Sequence, residues 1–490
     1  MAHAADASIT IEQHGVDTIP DADRTGRPRD VVTILIGSNL CLGVVIFGWL
    51  PATFGLSFWE SVTAQVAGTL LGCLLVAPLA LVSFRTATNL STSSGAQFGV
   101  RGRLLGSAIG LLLSLGYAAL TVWTGGAAVV GPLARLLGTP GGDAAYAVGY
   151  VVLAAGSILA AVFGYRLLTR MSSFLAVIMS ALMLAGVIAL APRFDPAPVL
   201  AGGYLLGDFW TTWLLVLVAV GISGPIAFIT LLGDYTRYVS PQRYSQRRVL
   251  VASTGGMVAG VLIAQLFGTF TAFAARDAGD YVGGLVAAAP SWFLVLLLVN
   301  GIFGTVGNAG VLLYSMGLDL DAIVPKVSRV QSTTVAGLVA TALVFAGYFL
   351  WDAADAVTAF VLLMTAAGTP WAVITLIGFR RSRGVYDADA LQVLNRRSRG
   401  GAYWFTHGFS VPAVVAWALG TVVGLLSVDT TIWHGPLIEV TGGIDLSPLL
   451  AGLTGGLAYV ALTRGHARAA APAEPSRPVA AAEEAPALLR

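Results

Sequence analysis

Polar side chains interrupt long apolar runs at a few places in this chain, and those are the places where chemistry can be done. The run "ILIGSNLCLGVVIFG" carries Gly37, Ser38 and Asn39. The run "VAVGISGPIAFITLLGDY" carries Gly221, Ser223, Gly224 and Pro225, then ends in Asp234 with Arg237 three residues on. In "SLGYAALTVWTGG", Tyr117, Thr121 and Thr124 fall at i, i+4 and i+7, on one helical face. In "NGIFGTVGNAGVLLYSMGLDLDAI", Asn308 stands among glycines, and Asp319 and Asp321 follow. These residue types suit binding rather than bond cleavage. An amide reads a hydrogen-bonding edge, and a tyrosine ring with hydroxyls one and two turns away can stack a planar ligand. Proline removes a backbone donor and frees the carbonyls before it.

The rest of the sequence says where these residues sit. Of 490 residues, 56% are hydrophobic and 11% charged, and the mean hydropathy is +0.81. A soluble chain would carry about 25% charged residues, so this is a polytopic membrane protein. A spanning helix needs roughly 20 apolar residues. Such runs predict twelve helices, near 31–52, 58–83, 104–134, 144–164, 171–192, 211–235, 250–275, 290–318, 335–351, 354–379, 409–428 and 447–463. With the N-terminus inside, 24 of the 27 Lys and Arg residues fall on inner segments, and only Arg135, Arg193 and Arg276 fall outside. Positive charge is retained on the cytoplasmic side, so both termini are expected to be cytoplasmic in a plasma-membrane protein. Residues 1–30 read as a polar N-terminal tail without a signal peptide, 31–463 as the membrane domain, and 464–490 as a disordered Ala/Pro/Glu-rich tail.

Several function classes fall away. Cys41 and Cys73 lie in apolar runs and read as buried thiols, not a disulfide framework. The five histidines lie in tails or near helix ends, so no histidine metal centre is expected. No cofactor is expected. A net charge of +2 with topogenic arginines gives no reason to expect a nucleic-acid partner. An enzyme would need a His/Asp or paired-carboxylate cluster inside the spans, and none is legible. A channel would need a repeated filter or a ring of charges. By the spacing, Asp319 and Asp321 read as interfacial. Asp234 and Arg237 read as a charge cluster at the helix exit, or as a cytoplasmic gate that pairs as helices close.

Asn39 lies about 12 Å into the first helix at 1.5 Å per residue, and Gly224-Pro225 lies at similar depth in the sixth. Two interrupted helices five apart, entering from opposite sides, form the pattern of a secondary transporter with its site at the midplane. The plain reading is that Gly and Pro merely pack or kink the helices.

The motifs "IGSNLCLGVVIFGWLPATFGLSFWES", "SLGYAALTVWTGG", "GDYTRYVSP" and "GNAGVLLYSMGLDLDAI", in this order and spacing, resemble the purine-cytosine permease family, the nucleobase:cation symporter-1 group. The resemblance covers essentially the whole membrane region. It implies a LeuT-type fold, a five-plus-five inverted repeat followed by two further helices, acting as a monomer. It also implies import of a nucleobase or related planar heterocycle with sodium or protons. By the same resemblance, Asn39 matches the polar residue at the first break. Tyr117 stands where a tryptophan is usual, and Thr121 where an amide is usual. Phe228 matches the second stacking aromatic, Gly224 offers freed backbone groups, and Asn308 falls in a polar patch. A coupling cation would lie between the first and eighth helices, near Ser38 and Thr305. Sodium-coupled relatives tend to carry adjacent hydroxyls there, whereas this chain reads Thr305-Val306-Gly307-Asn308. A LeuT-type amino-acid carrier is the alternative.

Overall fold

In the computed structural model the described residues are 15–464, apart from 201, 325, 351–352 and 431–432. All twelve expected spans are helical. α1 is split into α1a (Pro28–Asn39) and α1b (Leu42–Thr53), bent by 61°. The chain continues through α2 (Phe58–Thr86), α3 (Leu104–Leu137), α4 (Asp143–Phe163), α5 (Tyr165–Leu190) and α6 (Phe209–Ile226). It closes with α7 (Gln246–Ala275), α8 (Ser291–Ile323), α9 (Arg329–Leu350), α10 (Ala353–Arg381), α11 (Val411–Leu426) and α12 (Ser447–Leu462). Among the described residues, nine helices are long and apolar enough to cross a membrane, and α1 makes a tenth as a bent pair. α11 and α12 are shorter, at 16 residues each. Leu74, Val177, Ile188 and Leu457 are more than 60% exposed on the outside, as a lipid-facing surface requires.

Both interruptions occur where the sequence weakens the helix. At α1 the residues Leu40 and Cys41 leave helical geometry. In α6 the backbone first widens into a π-turn over Leu217–Ile222. Pro225 follows, and the chain then tightens, with the N–H groups of Phe228, Ile229 and Leu231 each bonding a carbonyl three residues back. A helical turn resumes at Leu232–Thr236. α8 carries a second π-turn, Asn300–Gly304, at the height of the α1 break. Such bulges recur at functional sites.

α1, α2, α6 and α7 form one tightly packed unit. Small residues let the backbones touch, in the way helices associate in lipid. Gly68 of α2 lies against Leu217 and Gly221 of α6, and Gly256 and Gly260 of α7 lie against α1a. A polar chain ties the four helices. Gln65 Nε2 donates to Thr269 Oγ1 at 2.8 Å, Thr269 Oγ1 bonds the Gly48 carbonyl at 2.8 Å, and Gln265 Nε2 donates to the Val220 carbonyl at 3.0 Å. A side chain at Gly48 would collide with the Gln265 carbonyl. Gly48→Val is therefore expected to prevent assembly; a folded, monodisperse G48V protein at wild-type yield would refute this packing. α11 and α12 pair with each other and dock on α10, where Gly420 and Gly455 face Pro370.

The described part of the expected N-terminal tail is not a free tail. Val16, Ile19 and Arg24 are buried. The N–H of Ile19 bonds the Ala87 carbonyl at 2.9 Å, and that of Gly26 bonds Tyr238 at 3.0 Å. Arg24 donates to the carbonyls of Arg237 (2.9 Å), Phe84 (2.7 Å) and Val239 (2.5 Å). Burial pushes its pKa down to about 10, so it stays charged near neutrality. Residues 465–490, the expected C-terminal tail, lie outside the described residues.

Candidate functional site

A cavity lies between the two interruptions. Its walls include all six residues expected at the substrate site: Asn39, Tyr117, Thr121, Gly224, Phe228 and Asn308. α1 supplies Asn39 at the last position of its inner half, and α3 supplies Tyr117 and Thr121 from one face. The loosened part of α6 supplies Gly224 and Phe228, and α8 supplies Asn308. The cavity also takes in Phe47, Ser223, Gln265 and Leu312, which the sequence reading did not assign to a site. Phe47 packs on Tyr117, ring centroids 6.2 Å apart at 50°. It is an apolar residue in an apolar helix and leaves no sequence signal. Gln265 does leave one, as an uncharged polar residue deep in α7.

The polar groups are already organised. Thr121 Oγ1 donates to Asn308 Oδ1 at 2.8 Å, and Asn308 Nδ2 donates to the Ser38 carbonyl at 2.7 Å. Asn308 therefore pins α3 and α8 to the broken end of α1a. An amide has two donor and two acceptor positions, so one of each stays available for a ligand. Asn39 Nδ2 turns back to the Leu35 carbonyl at 2.5 Å, leaving its carbonyl oxygen for other partners. The cavity is narrow, about 40 Å³, whereas small-molecule sites usually span roughly 300–1,000 Å³. A ring enters only if side chains swing aside.

The two residues expected to bind a coupling cation lie beside this cavity. Ser38 Oγ is buried with no hydrogen-bond partner among the described residues. Thr305, also buried, packs on Gly125. The carbonyls loosened by the α1 break each accept one hydrogen bond, Ser38 from Asn308 Nδ2 and Leu40 from Asn300 Nδ2 at 3.1 Å.

Below the cavity the inner end is closed. Arg237 is fully buried. It donates to the Gly15 carbonyl at 2.6 Å, to Tyr314 at 2.9 Å and to Tyr238 at 3.2 Å, and its guanidinium lies over the Tyr238 ring. Arg237 thus clamps α6, α8 and the N-terminal segment together. Asp234, three residues before Arg237, is also buried, at 2% exposure. Asp319, expected at the interface, is buried to 2% exposure, because the inner loops and residues 15–27 cover that end of the bundle. Cys41 and Cys73 are free and buried, as expected, and no group of residues fit to hold a metal occurs among the described residues.

Two helices broken at a shared cavity, set five apart in a twelve-helix order, define a LeuT-type membrane transporter. Residues 18–454 match the family described as permeases for cytosine/purines, uracil, thiamine and allantoin, and this chain belongs to that family of transporters. It is 24% identical over 456 residues to YxlA of Bacillus subtilis (strain 168), which carries a purine-cytosine permease name; the match covers 90% of this chain and 93% of that protein. The fold is that of Mhp1, described as a nucleobase-cation-symport-1 family transporter, in a closed conformation with bromovinylhydantoin bound. That comparison gives a TM-score of 0.70 at 18% identity, covering 94% of this chain and 97% of that one. A Na+-coupled sialic acid symporter is more distant, at TM-score 0.56 and 15% identity, with 92% of each chain covered.

Proposed function

We propose that this permease imports a planar heterocycle by cation symport across the plasma membrane, as a monomer with both termini in the cytoplasm. The observation that carries this is the single cavity joining Asn39, Tyr117, Thr121, Gly224, Phe228 and Asn308 at two helix breaks. The ring lies between Tyr117 and Phe228. Its edge pairs with the spare positions on Asn39, Thr121 and Asn308 and with backbone groups at Gly224. Transport follows as α1, α2, α6 and α7 rock against the remaining helices, and the Arg237 clamp parts on the inner side. The orientation rests on the arginine asymmetry.

The cation is the open term. If sodium couples, Ser38 Oγ and Thr305 Oγ1 are the ligands that the α1–α8 seam offers. Hard cations take several oxygens, and the Ser38 and Leu40 carbonyls at the break, each accepting one hydrogen bond, keep a second lone pair to add to them.

The test is thermal stabilisation of the purified protein against nucleobases, hydantoins and amino acids, each with and without sodium. A ligand that binds only the folded state raises the midpoint. A shift with one planar heterocycle is expected; a shift with amino acids alone would overturn the reading. Stacking is worth about 1–3 kcal/mol per aromatic. Tyr117→Ala and Phe228→Ala are each expected to weaken that ligand roughly 10- to 100-fold, read from the midpoint against ligand concentration. Unchanged affinity in both variants would remove the ring from this site.

A further inference from the structure

Four arginines gather around one pocket at the inner ends of α1a and α7. It holds about 850 Å³ and opens to the surface. Arg27 and Arg29 line it from the α1a side and Arg247 and Arg248 from the α7 side, with Tyr244 and Val251 also in its wall. Further along, the two helices touch. Gly256 of α7 lies against Val32, and Gly260 lies against Leu35 and Ile36 of α1a. Towards the helix starts, arginine and tyrosine stand where glycine allowed contact, and the seam opens into the pocket.

No carboxylate lines this pocket. Among the described residues, Arg27, Arg247 and Arg248 make no ion pair, and Arg29 makes one long contact, 3.7 Å to Asp30. Asp30 is also engaged elsewhere, since its Oδ2 accepts the Arg27 N–H at 2.8 Å. Other inner arginines do find partners: Arg24 has three carbonyls, and Arg396 has Asp389 at 2.8 Å. Four positive charges around one space raise the local potential and draw an anion in. The pocket is also half apolar. Arg248, Val251, Gly255 and Leu262 fall at i, i+3, i+7 and i+14, on one face of α7. Val251 is 63% exposed, Gly255 is exposed and Leu262 is half-buried. That face is basic at the helix start and apolar beyond it.

We propose that this pocket binds the phosphate headgroup of an anionic phospholipid from the cytoplasmic leaflet, with an acyl chain laid along the apolar face of α7. Guanidinium groups pair with phosphate oxygens in a bidentate fork. Basic pockets between membrane helices on the cytoplasmic side bind anionic headgroups. A free phosphate would use the arginines alone, whereas the face running from Arg248 through Val251 and Gly255 suits a ligand with a charged head and an apolar tail. The bound headgroup bridges the start of α1a and the start of α7, two helices of the unit that rocks in the transport reading. The pocket shares no residue with the substrate cavity, so lipid binding does not depend on which solute is carried. Its side of the membrane rests on the arginine asymmetry.

The experiment reads binding directly, without any transported substrate. Full-length protein in neutral-detergent micelles is titrated with dansyl-labelled phosphatidylglycerol, and with phosphatidylcholine carrying the same label and chains. Energy transfer from the protein's tryptophans reports the bound lipid. Phosphatidylglycerol is expected to bind at least tenfold more tightly than phosphatidylcholine. Millimolar inorganic phosphate is expected to displace little of it, because phosphate has no tail for the α7 face. Equal binding of the two lipids, as arginines that serve only to orient the chain would give, overturns the proposal. Full displacement by phosphate also overturns it, since the pocket would then take a free anion.

Variants then locate the site. Each basic residue near an anionic lipid surface contributes roughly fivefold in binding. Replacing two, as Arg247→Gln with Arg248→Gln, is therefore expected to weaken phosphatidylglycerol about 25-fold and leave phosphatidylcholine unchanged. Arg27→Gln with Arg29→Gln, from the opposite wall, tests the same pocket should the first pair fail to fold, as judged by thermal midpoint. The control removes the same charge elsewhere on the inner side, as Arg380→Gln with Arg399→Gln, two exposed arginines outside the pocket. It is expected to stay within threefold of wild type. Equal loss in the control and the pocket variants would place the effect in the overall surface charge and overturn the pocket. A thermal shift with a heterocycle but no lipid preference sinks this site alone and leaves the transport reading standing.

Discussion

Asn308→Ala is expected to lower heterocycle uptake about 100-fold. The side chain holds two partners at once, the Thr121 hydroxyl at 2.8 Å and the Ser38 carbonyl at 2.7 Å. Alanine leaves both buried and unpaired, at about 1–3 kcal/mol each. Taken near the low end, the two losses approach 3 kcal/mol, and each factor of ten corresponds to about 1.4 kcal/mol. The loss falls on the geometry of the site as well as on the ligand, because the end of α1a is no longer tied to α8. The measurement is the initial uptake rate, normalised to the amount of protein in the membrane. Uptake within threefold of wild type would mean that Asn308 is only one of many contacts joining the helices.

Arg237→Ala is expected to release the inner closure. A fully buried guanidinium that donates to Gly15, Tyr314 and Tyr238 is lost, and hydrogen bonds to charged groups contribute about 1.5–3 kcal/mol each. The N-terminal segment then keeps Arg24 on its backbone carbonyls but loses the hydrogen bond from Arg237 to the Gly15 carbonyl. Two readouts follow. The thermal midpoint should fall, and a cysteine placed at Val16, which is 5% exposed, should react with an impermeant maleimide at least about tenfold faster than in the parent. The two native cysteines are buried, so background labelling is low. Slow labelling in Val16→Cys combined with Arg237→Ala would show that other contacts hold the segment.

The site was largely legible because polar atoms inside oil are costly. Asn39, Thr121 and Asn308 have few reasons to sit in apolar runs, and Gly224-Pro225 must interrupt a helix wherever it falls. The cavity that gathers them carries that reasoning into three dimensions. Phe47 was invisible for the opposite reason, since a phenylalanine in a membrane helix looks the same whether it faces lipid or a ligand. Depth along a helix also fails to give burial. Asp319 stands four residues from the end of α8, where water is the ordinary expectation. It is buried because distant segments fold across it, Ser91 among them, whose hydroxyl donates to Asp319 Oδ1. The packing of the N-terminal segment leaves no trace in its composition. Residues 1–30 read only as a polar tail, whereas Arg24 is held by backbone carbonyls, and every residue type carries those.

The same segment sets an order on how the protein is made. Val16 is made before any of the membrane helices. One of its partners, Gln392, which donates to the Val16 carbonyl at 3.2 Å, stands 376 residues later. At about 5–20 residues per second, that is roughly 20–75 s of synthesis. Through that interval, while ten helices are made, the Val16 carbonyl has Thr88 as a partner but not Gln392. The contacts that cover this end of the bundle are therefore completed only after the tenth helix has been made.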